Sequence, residues 1–195
     1  MKVMILVSAL AASALALPAA AQWYAGGGLG VANGSLGGSS GALALTARDS
    51  RSTSFKLLGG YQFTPNWGLE MQFADLGRVG YSACNGAVCG SGNAALRQWS
   101  MAAVGTLPLS NNYYLMAKLG ATRNQVRGGD FCAGAVCASG AGSSRSDLLS
   151  GIGIGYNFSP RVSLRLEYEN FGRLIAGNGF AARGDNWAAT LRYSF

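Results

Sequence analysis

The chain has 195 residues and a formal net charge of +7, and only 12% of its residues are charged, whereas a soluble domain usually has about 25%. Although 30 residues are glycine, 49% of the chain is hydrophobic, which argues against a disordered polypeptide. The sequence contains no histidine, which excludes a Ser-His-Asp triad, a Cys-His pair, an HExxH zinc site and a histidine general base.

The N-terminal segment has the pattern of a secretory signal peptide. Lys2 is followed by an apolar run from Val3 to Leu17, and the small residues 19–21 form an A-x-A cleavage pattern. The apolar run is short for a membrane-spanning helix, although an uncleaved anchor helix is the alternative. We expect residues 1–21 to be removed and residues 22–195 to form one domain in an oxidising compartment.

The rest of the chain alternates apolar and polar residues with the period of two that is typical of β-strands. In the clearest example, a strand from Phe55 to Phe63 is followed by a Thr-Pro-Asn turn and a second strand that begins at Trp67. The pattern predicts eight strands, which begin near residues 23, 55, 67, 98, 113, 151, 162 and 186. Short turns at 64–66, 108–112 and 159–161 alternate with long connections at 32–53, 78–96, 124–147 and 171–185, as in an up-and-down barrel.

The apolar side of the predicted strands carries most of the bulky aromatic residues. In a soluble barrel this side would face inward, but the interior of eight strands has little room for such side chains. Many of the aromatics lie beside the short turns, as in the interfacial girdle of a membrane barrel. We therefore predict an all-β fold, an eight-stranded antiparallel up-and-down transmembrane β-barrel; a soluble, lipocalin-like barrel is the alternative.

The opposite side of the strands is polar and is predicted to face the lumen. Isolated charges in a narrow interior are costly, so we expect these charges to pair. They either form a structural network of salt bridges that fills the lumen, or exchange partners and gate small ions. The predicted lumen charges are Lys56, Glu70, Lys118, Arg165, Glu167, Glu169 and Arg192.

Four cysteines form two similar Cys-x4-Cys segments in the second and third long connections. Four cysteines allow three pairings, and proximity favours Cys84 with Cys89 and Cys132 with Cys137, while pairing across the two connections stays open. A site with four thiolates for zinc is the sharper alternative, but the oxidising location favours disulfides. We expect no metal, no cofactor and no catalytic residue.

Arginine is concentrated near the long connections, and its fork of N–H donors suits phosphate. We expect Arg78, Arg97 and Arg123 to contact lipopolysaccharide phosphates at the outer rim; ordinary solvated charge is the alternative. No basic run or basic helix suggests a nucleic-acid partner.

Several segments, taken in order, resemble the OmpA-like family of small outer-membrane barrels. They are residues 23–30, the hairpin 58–70, residues 117–121, residues 164–172 and the terminal run 192–195. The resemblance implies an interior cluster of Glu70, Lys118, Arg165 and Glu167. It also implies that Tyr193 and Phe195 belong to a C-terminal signal read by the barrel-assembly machinery, in the outer membrane of a Gram-negative-type bacterium.

Relatives of similar size suggest several roles. We expect a non-catalytic barrel with a structural or surface-interaction role, such as envelope integrity or adhesion through long external loops. A narrow, low-conductance, porin-like channel through the charged lumen is the alternative, and a lipid-modifying enzyme is disfavoured because such enzymes generally use histidine. We expect a monomer in contact with outer-membrane lipid, and no peptidoglycan-binding domain.

Overall fold

The computed structural model describes residues 22–40, 43–46, 50–85, 88–110, 112–133, 136–139, 143–177 and 180–195; the predicted signal peptide lies outside these ranges. The described residues form ten β-strands: β1 (Gln22–Ser40), β2 (Leu43–Thr46), β3 (Ser50–Gln62), β4 (Trp67–Asn85), β5 (Val88–Pro108), β6 (Tyr113–Ala133), β7 (Val136–Ser139), β8 (Ser143–Asn157), β9 (Val162–Gly177) and β10 (Phe180–Ser194). No helix in this part of the chain has the length and apolar character needed to cross a membrane.

Eight of the strands form the wall of a closed antiparallel barrel. Each long strand pairs with its neighbour along the chain, and β1 closes the wall by pairing with β10 from Tyr24 opposite Ser194 to Gly38 opposite Phe180. The two four-residue strands extend this wall at the long-connection end, where β2 pairs with β1 and β4, and β7 pairs with β6. The predicted fold class is confirmed.

Alternation along each strand separates the two faces of the wall. Apolar side chains face outward and remain exposed, as shown by Trp67 at 61% and Ile152 at 65%. Aromatic side chains cluster beside the short turns, where the ring centroids of Tyr113 and Tyr156 are 4.8 Å apart. A second level lies farther up the wall, where the rings of Phe73 and Trp99 are 4.9 Å apart. Two aromatic levels with an apolar band between them are typical of a barrel that spans a membrane.

The predicted boundaries of the long connections were wrong, whereas the three short turns were predicted correctly. Residues 78–85, 88–96, 124–133, 171–177 and 180–185 continue the barrel strands as antiparallel ribbons. The β4–β5 ladder, for example, runs on to Asn85 opposite Val88. Backbone pairing needs no apolar alternation once both faces of a ribbon meet water, so the sequence pattern ends before the strand does.

Two of the β-bulges, at Asp75–Gly77 and Asn170–Gly172, share the same local structure. In both, the Asp or Asn side chain accepts a hydrogen bond from the glycine N–H, at 3.0 and 2.9 Å, and the glycines have φ angles of 78° and 64°. Glycine tolerates this left-handed conformation, which bends the strand. The middle residues, Leu76 and Phe171, are 2% and 0% exposed; they continue the lumen-facing parity of Ala74 and Glu169, so both side chains lie in the lumen.

Candidate functional site

Six of the seven predicted lumen charges form one buried cluster that spans the barrel interior. Its members come from four strands, and none is more than 4% exposed. Period two places three of them on the same face of β9. With three cations and three carboxylates, the cluster has no net formal charge. It consists of Lys56 on β3, Glu70 on β4, Lys118 on β6, and Arg165, Glu167 and Glu169 on β9.

Lys118 is the centre of this ion cluster. Its Nζ lies 2.5 Å from Glu70 Oε1, 2.7 Å from Glu167 Oε2 and 3.1 Å from Glu169 Oε1. Lys56 pairs with Glu167 and lies 3.2 Å from Glu169 Oε1. Arg165 Nη1 lies 2.8 Å from Glu70 Oε2. Each buried charge therefore has an opposite charge within contact distance, which is the condition for tolerating ions away from water.

Two tyrosines that were not among the predicted site residues hydrogen-bond to the ion cluster from its short-turn side. The Tyr24 hydroxyl donates to Glu70 Oε2 at 3.1 Å, and the Tyr114 hydroxyl accepts from Arg165 Nε at 3.2 Å. Tyr114 has the same strand parity as Lys118, so the alternation already places it on the lumen side. Strand parity could therefore have identified these tyrosines, but they carry no charge and so were not among the predicted lumen charges.

Arg192 departs from the expected pairing of lumen charges. Among the described residues no carboxylate lies within ion-pair distance of its guanidinium. Instead its Cζ lies 3.8 Å from the centroid of the Tyr24 ring, and its Nη2 donates to Gln62 Oε1 at 2.9 Å. Arg192 lies toward the short-turn end, apart from the ion cluster. There a cation–π contact and an amide hydrogen bond take the place of a carboxylate partner.

An apolar cap fills the lumen on the other side of the ion cluster, toward the long ribbons. The cap includes both bulge side chains, and its members are at most 8% exposed. It was not predicted, because four of its members, Ala32, Leu96, Val126 and Phe171, lie inside the predicted long connections, although strand parity places the whole set on the lumen side. The cap consists of Ala32, Ala74, Leu76, Leu96, Ala102, Val126, Leu149 and Phe171.

The three predicted rim arginines, Arg78, Arg97 and Arg123, are exposed. Arg97 Nε lies 3.3 Å from Asp75 Oδ2, and both side chains remain substantially exposed, at 46% and 39%. Arg123 is the backbone partner of Trp99, so it stands beside the upper aromatic level. These guanidiniums therefore lie where the apolar band of the wall gives way to water.

Asp147 lies just beyond the apolar band of β8 and connects that strand to the second bulge. Its carboxylate accepts hydrogen bonds from the backbone N–H groups of Arg173 and Leu148, both at 2.8 Å. These two donors, that of Arg173 first, lower the pKa of Asp147 below its ordinary value because they stabilise the ionised form.

Two predicted sets stay predictions. The four cysteine side chains lie outside the residues whose side chains are described; the backbone register places Cys84 opposite Cys89 and Cys132 opposite Cys137. Tyr193 and Phe195 lie on the outward face, 43% and 70% exposed, with ring centroids 5.3 Å apart. Their role in assembly remains an expectation.

A closed barrel with an aromatic, apolar exterior and an ionic interior defines an integral outer-membrane β-barrel protein. The chain belongs to the outer membrane protein beta-barrel domain family, whose sequence pattern matches residues 3–195. The predicted family group and the predicted outer-membrane location are thereby confirmed. Among curated proteins, none matches this sequence.

Three solved structures illustrate what the fold is similar to. The outer membrane protein OprG from Pseudomonas aeruginosa has a TM-score of 0.59 and 13% identity, covering 90% of this chain and 96% of its own. Ail of Yersinia pestis, in complex with the heparin analogue sucrose octasulfate, has a TM-score of 0.51 and 19% identity, covering 88% and 99%. The outer membrane protease OmpT from Escherichia coli has a TM-score of 0.53 and 12% identity, covering 89% and 97%. At these identities the likeness establishes the fold alone.

Proposed function

We propose that this outer-membrane barrel is a non-catalytic protein with a structural or surface-interaction role, acting through its outer rim and long ribbons in envelope integrity or adhesion. The observation that carries the proposal is the closed lumen. The ion cluster and the apolar cap block the interior at two successive levels. A barrel whose interior is filled in this way has its outer surface left for function.

Opening the lumen would require breaking buried contacts. Glu70 bridges Lys118 and Arg165, which lie on different strands, so a permeating ion would have to separate pairs that bind the wall together. Leaving one buried charge without its partner typically costs about 3–5 kcal/mol, which sets the scale of this barrier. The cap would also have to move Phe171 and Leu76 into water or into the wall. Both requirements oppose steady conduction.

Planar-bilayer recording tests the closed lumen. The wild-type protein, shown to be folded by heat-modifiable migration on a gel, should give no discrete conductance steps. Glu70→Gln and Phe171→Ala serve as variants that weaken the two barriers separately. Wild-type steps whose size changes in Glu70→Gln would contradict the proposal and establish a pore.

That second candidate, a narrow low-conductance channel, is favoured by a specific feature of the lumen. On the lumen face, buried polar atoms of Gln98, Ser100, Asn186 and Thr190 have no hydrogen-bond partner among the described residues. Such groups are costly unless they are solvated, so these positions suit water and small ions better than they suit a dry core. The same recording decides between the two candidates.

At the outer rim we propose that Arg78, Arg97 and Arg123 contact phosphate groups of lipopolysaccharide. Among the described residues, the ion pair made by these three arginines joins Arg97 to Asp75. Exposed ion pairs of this kind contribute little to stability, so the guanidinium of Arg97 keeps donors that a phosphate can use. We also propose that the protein contacts outer-membrane lipid, that the barrel-assembly machinery inserts it, and that it is a monomer.

Co-purification of lipopolysaccharide tests the rim. The combined variant R78Q/R97Q/R123Q should retain several-fold less lipopolysaccharide than the wild type through detergent washes. Arg161→Gln, which removes an exposed arginine at the opposite end of the barrel, is the matched control and should retain the wild-type amount. Equal retention by the triple variant would reject the contact.

One of the similar structures is a protease, so the fold alone does not distinguish a catalytic from a non-catalytic barrel. The proposal that this protein is non-catalytic therefore rests on its side chains. The sequence has no histidine to serve as general base. An activity screen on peptides and lipid A should give no turnover above that of a heat-unfolded sample. Turnover by the folded protein would overturn this part of the proposal.

A further inference from the structure

A polar cup opens at the short-turn end of the barrel, between the turns at 63–66 and 158–161. It has a volume of about 240 Å³. Because short turns face the periplasm in outer-membrane barrels, the cup opens toward the periplasm. Its polar lining includes Gln62, Asn157, Ser159, Arg161, Ser163 and Arg192.

The charge of the cup is unbalanced. The described residues of its lining include two guanidinium groups, those of Arg161 and Arg192, and no carboxylate side chain. The ion cluster above it contains as many carboxylates as cations and pairs them internally, with Glu70 already bound to Arg165 and Lys118. Among the described residues, no lumen carboxylate is therefore within ion-pair distance of Arg192, so the excess positive charge of the cup favours anions from outside.

Arg192 is held in place by contacts that leave part of its donor set unused. Its guanidinium stacks on the Tyr24 ring, with 3.8 Å between Cζ and the ring centroid, and Nη2 donates to Gln62. The buried Nε has no hydrogen-bond partner among the described residues. A buried donor left unpaired costs free energy, and a fixed planar guanidinium matches an oxyanion with two acceptor atoms.

We propose that this cup binds a phosphate group, with Arg192 as the anchored donor and Arg161 as a second positive charge at its rim. The group comes either from inorganic phosphate in the periplasm or from a phospholipid headgroup of the inner leaflet. A molecule of liquid water occupies about 30 Å³, so the cup has room for a phosphate group and some of its hydration. The site is independent of the outer-surface role.

The first experiment follows the arginine Nε–H signals by NMR during titration with inorganic phosphate at constant ionic strength. The full chain is held in a maltoside detergent, which contains no phosphate. The Nε–H signal of Arg192 should shift saturably. Arg161→Gln should weaken binding at least threefold, and Arg192→Gln, read from the Gln62 and Asn157 side-chain amides, at least tenfold. Arg183→Gln, at the opposite end, is the matched control and should leave the affinity unchanged.

A second arm distinguishes the two sources of phosphate. In nanodiscs of phosphatidylethanolamine and phosphatidylglycerol, an Arg192 signal that is already shifted and no longer responds to inorganic phosphate identifies the lipid headgroup. A signal that titrates as in detergent identifies free phosphate. The proposal is overturned if Arg192 shows no saturable shift in detergent and the same unshifted position in nanodiscs. Because Arg161 lies on an exposed turn, its variant keeps the test valid even if Arg192→Gln fails to fold; unchanged affinity in Arg161→Gln would overturn its role.

Discussion

Replacing Lys118 with methionine should destabilise the barrel more than any substitution of an exposed charge. Methionine has a similar length but no charge, so the volume is nearly retained while three ion pairs are lost. Lys118 Nζ lies 2.5, 2.7 and 3.1 Å from oxygens of Glu70, Glu167 and Glu169. After the change, Lys56 and Arg165 face three carboxylates, and the lumen has an unpaired buried negative charge.

The expected magnitude follows from burial. Removing one partner from a buried pair typically costs about 3–5 kcal/mol, because the remaining charge stays desolvated. The contrasting pair is Arg97 with Asp75, whose side chains are 46% and 39% exposed. Exposed pairs contribute about 0–1 kcal/mol, so Arg97→Met should change the free energy of unfolding by no more than that.

Urea unfolding in lipid vesicles, followed by tryptophan fluorescence and by heat-modifiable migration, measures both variants. A double variant, Lys118→Met with Glu169→Gln, removes one charge of each sign and should recover about 1–2 kcal/mol, within the range of coupling between contacting residues. The reasoning is refuted if the stability of Lys118→Met stays within about 1 kcal/mol of the wild type. It is also refuted if adding Glu169→Gln to Lys118→Met costs as much stability as Glu169→Gln costs in the wild type.

Two further predictions concern packing and pH. A Cβ at Gly155 would lie 2.0 Å from Cζ of the buried Tyr114 ring, whereas at outward-facing Gly59 the nearest atom is 3.8 Å away. Gly155→Ala should therefore lower the free energy of unfolding by about 1–3 kcal/mol, and Gly59→Ala by less than about 0.5 kcal/mol; equal effects in urea unfolding would contradict this packing. Because the pKa of Asp147 is lower in the folded protein, its ionised form stabilises the fold above its ordinary pKa, and this contribution is lost as the pH falls through the folded value. Asp147→Asn should flatten the stability profile in that acidic range, and an unchanged profile would show that the two N–H donors contribute nothing.

Alternation predicted the barrel wall because lipid and lumen impose opposite requirements on neighbouring residues. Met71, for instance, is 58% exposed while the adjacent Gln72 is 3% exposed. Beyond the membrane both faces of a ribbon meet water, so nothing in the pattern marks that β4 continues to Asn85. The bulges were also not predicted, because the sequence Asp75-Leu76-Gly77 is as compatible with a loop as with a bent strand.

The members of the ion cluster were predictable, but their partners were not. Strand parity places Lys118 and Glu169 on the lumen face, whereas their contact depends on the register between strands and on the tilt of the barrel. The unpaired position of Arg192 depends on the same geometry, because Tyr24 and Gln62 occupy its surroundings. The rim arginines were located from composition, and whether they bind phosphate depends on a partner outside the chain.

The apolar cap separates two populations of charge that should respond differently to salt. Dissolved ions screen exposed charges over about 8 Å at physiological ionic strength, but they cannot surround side chains that are at most 4% exposed beneath Phe171 and Leu76. A bacterium that moves from dilute to saline surroundings would therefore weaken the contacts of the rim guanidiniums while the ionic interior keeps its strength. On the surface-interaction role proposed above, contacts made at the rim and the stability of the barrel in the membrane would thus respond separately to salt.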